Sequence, residues 1–165
     1  MTVGATVAQI LAPWPPLALI MALLSHYILD AFPHWDYHLS SVEKSSALEI
    51  GVTKTSKTKI LIDLSKIALD ALLGAIIVLI SFHFLVINIA WWLILPAMFL
   101  AVLPDISQAF YAFTKNSYLG KLQIWHDLSH HPSRVFKAWP IRGIIIQGGV
   151  ILLALLSLGW FLSLG

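Results

Sequence analysis

Three long apolar runs separated by polar breaks organise this chain. Residues 60–82, 89–113 and 141–164 each approach the ~20 predominantly apolar residues that a helix needs to cross a bilayer core. The N-terminal region is apolar but less regular. Residues 3–12 and 17–32 are interrupted by Pro13-Trp14-Pro15-Pro16, which cannot continue a helix. This predicts two short helices with their turn inside the membrane or at its far face. Residues 42–58 are rich in Ser, Thr and Lys without an apolar period and read as a mobile loop. The pattern as a whole predicts one all-α domain over residues 1–165, a polytopic transmembrane bundle of four to five helices whose first one or two are broken at the proline-rich turn.

Composition agrees with the pattern and narrows the chemistry. With 59% hydrophobic and 11% charged residues, the chain is too apolar for a soluble domain of 165 residues. A net charge of +2 gives no reason to expect a nucleic-acid partner. Cysteine is absent, so disulfides, thiolate nucleophiles and Cys-type zinc sites are excluded together. Any transition-metal site must use nitrogen and oxygen ligands. Residues 1–12 carry no Lys or Arg ahead of their apolar stretch, unlike the charged start of a cleavable signal, and are expected to stay attached.

Threading the spans through a bilayer puts the polar connections 33–59 and 114–140 on one face and the short connection 83–88 on the other. All ten Lys and Arg then lie on the first face or on helix ends touching it, which the positive-inside rule makes cytoplasmic in an inner or plasma membrane. His83 is the only ionisable side chain on the opposite connection, where Trp91 and Trp92 mark an aromatic belt. The other six histidines collect with the acidic residues at or near the cytoplasmic face.

Four groups at that face could carry chemistry. His26 and Asp30 are four residues apart at the end of an apolar helix and so share a helical face. Beyond Pro33, His34, Asp36 and His38 alternate, and an extended segment would project them the same way; the competing reading is a solvated interfacial stretch with Trp35 and Tyr37 in the headgroups. Asp63, Lys66 and Asp70 form one stripe, with Asp70 deep enough to need a partner in the bundle interior or a protonated packing role. Asp105 follows Pro104 and reads either as a ligand or as the cap of a helical turn over residues 106–113. His126 and His130 share a face if their segment is helical, leaving His131 and Arg134 to point toward a substrate phosphate. The alternative is a basic loop resting on anionic lipid.

An apolar helix ending in His-x-x-x-Asp, a helix ending in Leu103-Pro104-Asp105, and the late block His126-Asp127-Leu128-Ser129-His130-His131 together resemble the YdjM-like family, small inner-membrane proteins described as metal-dependent hydrolases. The chain departs from that pattern in reading Ile106-Ser107 where a second Asp is usual, and in having no His before His26. The resemblance implies a membrane hydrolase without naming its substrate.

The expected function is therefore a metal-dependent hydrolase, with His26, Asp30, Asp105, His126 and His130 as metal ligands. Asp36 and Asp70 are expected as a bridging ligand or an orienting group, and His131 as a catalytic group. The donor set suits a divalent ion, Zn or Mn first, bound as one or two ions. At headgroup level the natural substrate is a phosphoester of a membrane lipid or isoprenoid, its anionic head held by Arg134 and Lys137, with Lys121 and Arg142 nearby. A homo-oligomer is compatible with this short chain. The rival reading is a non-catalytic protein with a metal or proton site, as a transporter component or a structural metal site.

Overall fold

Two prolines decide how the chain first turns. In the computed structural model, which describes residues 1–32, 34, 57–85, 88–114, 116–129 and 140–164, helix α1 (Thr2–Ile10) ends where the Leu11 N–H donates to the Val7 carbonyl at 2.9 Å. The Trp14 N–H then donates to the Leu11 carbonyl at 2.8 Å, closing a tight turn. Helix α2 (Pro15–Asp30) starts on Pro15 and Pro16, first-turn positions where a missing N–H costs no helical bond.

The α1–α2 hairpin packs through small side chains. Gly4, Ala5 and Ala8 of α1 and Ala18 and Ala22 of α2 are buried, as are Ala97 and Ala101 of helix α4 (Trp91–Thr114). Small residues let the three backbones approach closely, which is how helices without a hydrophobic drive between them gain dispersion contacts. Gly4 is the closest point: a Cβ added there would lie 2.7 Å from the Ala101 Cβ. At the other end of α1, the Gln9 side chain donates to the Asn88 carbonyl at 3.1 Å and accepts from the Ala90 N–H at 3.3 Å. Gln9 thus ties the hairpin to the entry of α4.

Helices α3 (Lys57–Leu85) and α6 (Pro140–Ser163) flank this core, α3 through Val78 and Phe82 and α6 through Leu158. Their remaining large apolar side chains, such as Leu69, Leu72, Leu152 and Leu153, are exposed. Three helices are long and apolar enough to cross a membrane, over Thr58–Leu85, Trp91–Tyr111 and Ile141–Ser163, and an apolar outer surface is what lipid contact requires. Among the described residues there are six helices and no strand, an all-α bundle.

Two details differ from the pattern in the sequence. The connection expected over 114–140 contains a helix of its own, α5 (Ser117–Ser129), started by Asn116, whose Oδ1 accepts the Tyr118 N–H at 2.9 Å. Pro104, expected to close a helix, lies inside α4, which continues through both Pro96 and Pro104 to Thr114. Asp105 is accordingly an interior residue of α4 and does not cap a separate turn.

Candidate metal centre

Each of three helices brings its own candidate ligands. His26 and Asp30 stand one turn apart at the end of α2, Asp105 comes from the second half of α4, and His126 from the last turn of α5. His26 Nε2 lies 3.1 Å from His126 Nε2, and the two rings stack with centroids 5.3 Å apart. Asp30 Oδ2 is 3.1 Å from His26 Nε2 and 3.3 Å from His126 Nε2. Asp105 Oδ1 is 3.7 Å and 3.6 Å from the same two nitrogens.

The tautomer of His26 follows from its other nitrogen. Nδ1 lies 2.9 Å from the Ala101 carbonyl, which can only accept, so Nδ1 carries the proton and Nε2 presents a lone pair to the cluster. Metal-ligating histidines are held in just this way by a backbone carbonyl, which fixes the ring and raises the basicity of the ligating nitrogen. Asp105 is placed one helical turn beyond Ala101, so one face of α4 supplies both the anchor and the carboxylate.

Two carboxylates and two imidazole nitrogens converging at these distances repel one another unless a proton or a cation lies among them. His26, Asp105 and His126 each offer a ligand atom within 4.8 Å of the others and could hold a metal ion, and Asp30 borders both imidazoles. A tetrahedral ion with bonds of ~2.0–2.1 Å keeps its ligand atoms ~3.3–3.4 Å apart, a value that the observed separations straddle. The donor set therefore fits a divalent cation. Side-chain exposure is 3% for His126, 10% for His26, 13% for Asp30 and 39% for Asp105, so the centre opens on the Asp105 side.

The other residues singled out in the sequence divide between two groups. Asp70 is exposed on α3, within Coulombic range of Asp105 but not in the cluster. Depth along a helix does not set azimuth, and α3 meets the bundle mainly through Gly74, Val78 and Phe82. Asp63 is buried and pairs with Lys66 at 3.0 Å. His34 Nδ1 lies 2.8 Å from the Phe32 carbonyl, and His83 is exposed at the far end beside Phe84. Lys121 and Arg142 are exposed on α5 and α6. Asp36, His38, His130, His131, Arg134 and Lys137 lie outside the described residues.

Some contributors have no obvious mark in the sequence. Tyr27 packs edge-on against both His26 and His126, with ring centroids 5.7 and 6.3 Å away. Gly4 sets how closely α1 approaches Ala101, whose carbonyl holds His26. The position of Ala101, four residues before Asp105, was a signal that could have been used; Gly4 carried none.

Fold and site together define a helical bundle with membrane-length helices and a candidate His/Asp metal centre. Comparison of the chain with protein-family models, with curated proteins and with solved structures found no match.

Proposed function

We propose that this chain is a metal-dependent hydrolase of the inner or plasma membrane, related to the YdjM-like group, acting on a phosphoester of a lipid or isoprenoid from the cytoplasmic side. The observation that carries the reading is the convergence of His26, Asp30, Asp105 and His126 from three helices, with His26 already oriented by the Ala101 carbonyl. His26 and His126 are the nitrogen ligands and Asp105 and Asp30 the oxygen ligands of a divalent ion, Zn or Mn. A second ion would need further ligands, and His130, four residues after His126, is the proposed one.

A divalent ion in such a site supplies Lewis-acid polarisation of a phosphoryl oxygen and activation of water near neutral pH. The protein's part is to hold the imidazoles neutral and aligned, to keep one side open beside Asp105, and to shield the rest behind Tyr27 and the buried face of α5. Asp36 and His131 are the proposed proton-handling groups, Arg134 and Lys137 the proposed anchors for the anionic head, and Asp70 acts on the centre through its charge.

One observation favours a second reading. Four protein side chains around one point is the ligand count of a closed structural site, whereas catalytic sites keep a position open. The exposure of Asp105 argues for the open version, in which the fourth side chain leaves room for water or substrate on that side.

Metal analysis by mass spectrometry on detergent-purified protein tests the centre. Wild type is expected to carry one or two equivalents of Zn or Mn, and a His26→Ala, Asp105→Ala double variant none. Phosphate release from phospholipid and isoprenyl phosphates by the loaded wild type then separates a hydrolase from a structural site. Equal metal content in both proteins would remove the centre, and metal without hydrolysis of either class would leave a structural ion.

A further inference from the structure

Helix α5 is amphipathic in the inverted sense. Its inward side chains, Gln123 and His126, are polar and buried, while Tyr118, Leu122, Trp125 and Leu128 are exposed at 77%, 48%, 71% and 76%. Spaced by four, three and three, these four share one helical face. The exposed Lys121 interrupts this face near its start, beside Gly120 and so level with Tyr111, where a long side chain can reach the membrane surface. Trp125 and Leu128 beyond it leave an exposed apolar patch of a kind unusual on a surface that meets water.

The depth of that face follows from what α5 touches. Gly120 packs on Tyr111, where an added Cβ would lie 3.1 Å from the ring, and His126 meets Asp105. The residue numbers fall along α4 as they rise along α5, so α5 runs back antiparallel to α4 from the turn at Asn116. Asp105 lies six residues inside the apolar span Trp91–Tyr111, or ~9 Å at ~1.5 Å per residue. His126, Trp125 and Leu128 therefore lie level with the apolar span of α4, inside its end at Tyr111. A cleft of about 390 Å³ between α3 and α4, running from Ile106, the residue after Asp105, to Thr114, is lined among the described residues by Leu64, Ile67, Ile106, Ala109, Phe110 and Thr114. Its walls are almost wholly apolar.

We infer that α5 is a re-entrant helix whose outward face is covered by the acyl chains of the bilayer, so that the metal centre lies beneath the membrane surface and receives an amphiphile laterally from the lipid phase. The inverted pattern is then the expected one, with polar ligands inward to the centre and apolar side chains outward to lipid. This rests on the hydrolase reading only for what the amphiphile is; the placement of α5 stands on packing and exposure. It also refines the substrate class to molecules that partition into the membrane, and excludes freely water-soluble phosphoesters.

The absence of cysteine makes the test direct. Single-cysteine variants of the full chain, Trp125→Cys and Leu128→Cys, are labelled in native membranes with a charged, water-soluble maleimide. Asn116→Cys at the turn serves as the aqueous reference and Leu152→Cys on α6 as the lipid-facing one. The two α5 thiols are expected to react at least ~10-fold more slowly than Asn116→Cys and at the rate of Leu152→Cys, since the reactive thiolate is disfavoured in an apolar medium. A phospholipid with a photoreactive acyl chain should label the same two positions. Maleimide labelling at the Asn116→Cys rate overturns the inference. So does protection without lipid adducts but with cross-linking between copies at Trp125→Cys, which would assign the face to a second copy of the chain. Metal content measured on the same samples keeps the two ideas apart: lipid-protected thiols in a chain that binds no metal would sink the hydrolase and leave α5 embedded.

Discussion

The two ends of the α1–α2–α4 core handle polar groups in opposite ways. At the far end, Gln9 meets Asn88 and Ala90 in a pair of hydrogen bonds, each donor matched to an acceptor, above a core of Phe82, Leu93 and Ile94. At the other end, side-chain atoms of His26, Asp30, Asp105 and His126 converge within 3.1–3.7 Å of the two imidazole Nε2 atoms. The far end is complete as protein; the near end has the donor set to hold a cation. A polar group kept in an apolar bundle for stability should be removable at a modest cost in folding, whereas one kept for binding should be removable at a large cost in binding.

The largest effect expected from that contrast is at His126. His126→Ala removes the most buried of the four side chains and the sole described ligand from α5, and should weaken metal binding by more than the ~10–100-fold that supporting contacts carry. Equilibrium dialysis against Zn or Mn measures it. Wild-type binding should also weaken on acidification, because imidazole ligands bind metal only when neutral and protons compete for Nε2. Affinity indifferent to pH across the imidazole range would count against both histidines as ligands.

Gly4→Val comes next and couples the two ends. The added side chain must displace Ala101, whose Cβ already lies 2.7 Å from where the new Cβ would sit, at a cost of about 1–3 kcal/mol. Because the Ala101 carbonyl orients His26, metal affinity should fall with stability, although Gly4 touches no ligand. Thermal unfolding in detergent and dialysis on the same protein would show both; lost stability with intact affinity would uncouple the anchor from the centre.

Gln9→Ala is the converse. It removes the partner of the Asn88 carbonyl and the Ala90 N–H, both only partly buried, and should cost about 0.5–1.5 kcal/mol of stability. Metal binding should stay at the wild-type level. Weakened binding in a folded Gln9→Ala protein would mean that the two ends are not independent.

Much of this contrast could be read from the chain before any coordinates, because it is written in long-range patterns. Spans of apolar residues and the break at Pro13–Pro16 locate the helices, since proline and bilayer thickness act on sequence alone. His26 with Asp30, and Asp105 near an interrupted apolar run, stood out because ionisable groups are costly there. The course of α5 was harder, as nothing within residues 117–129 says whether the helix leaves the membrane or turns back along α4. That α5 runs back along α4 follows from Gly120 against Tyr111 and from His126 against Asp105, the latter pair 21 residues apart in the chain. The azimuth of Asp70 was also hidden, because a single helix stripe does not say which neighbour it faces when most of that helix is apolar all round.

Asp70 gives the smallest effect and the finest test of the comparison. On depth alone it belongs with the ligands, and as an orienting partner its loss should lower metal affinity by about 10–100-fold. It is instead exposed on α3 and reaches Asp105 only through its field, the weakest of the charges acting on that carboxylate. Asp70→Asn keeps the shape and removes the charge, so the expected loss of affinity is smaller than tenfold and should depend little on salt, because Asp70 lies inside the apolar span of α3, away from the ions that screen. A loss of 10-fold or more would put Asp70 in direct hydrogen-bond contact with the centre in the loaded protein. In that case α3 closes on the ion when it binds, and the boundary between the completed end and the incomplete one lies a helix further out than this structure draws it.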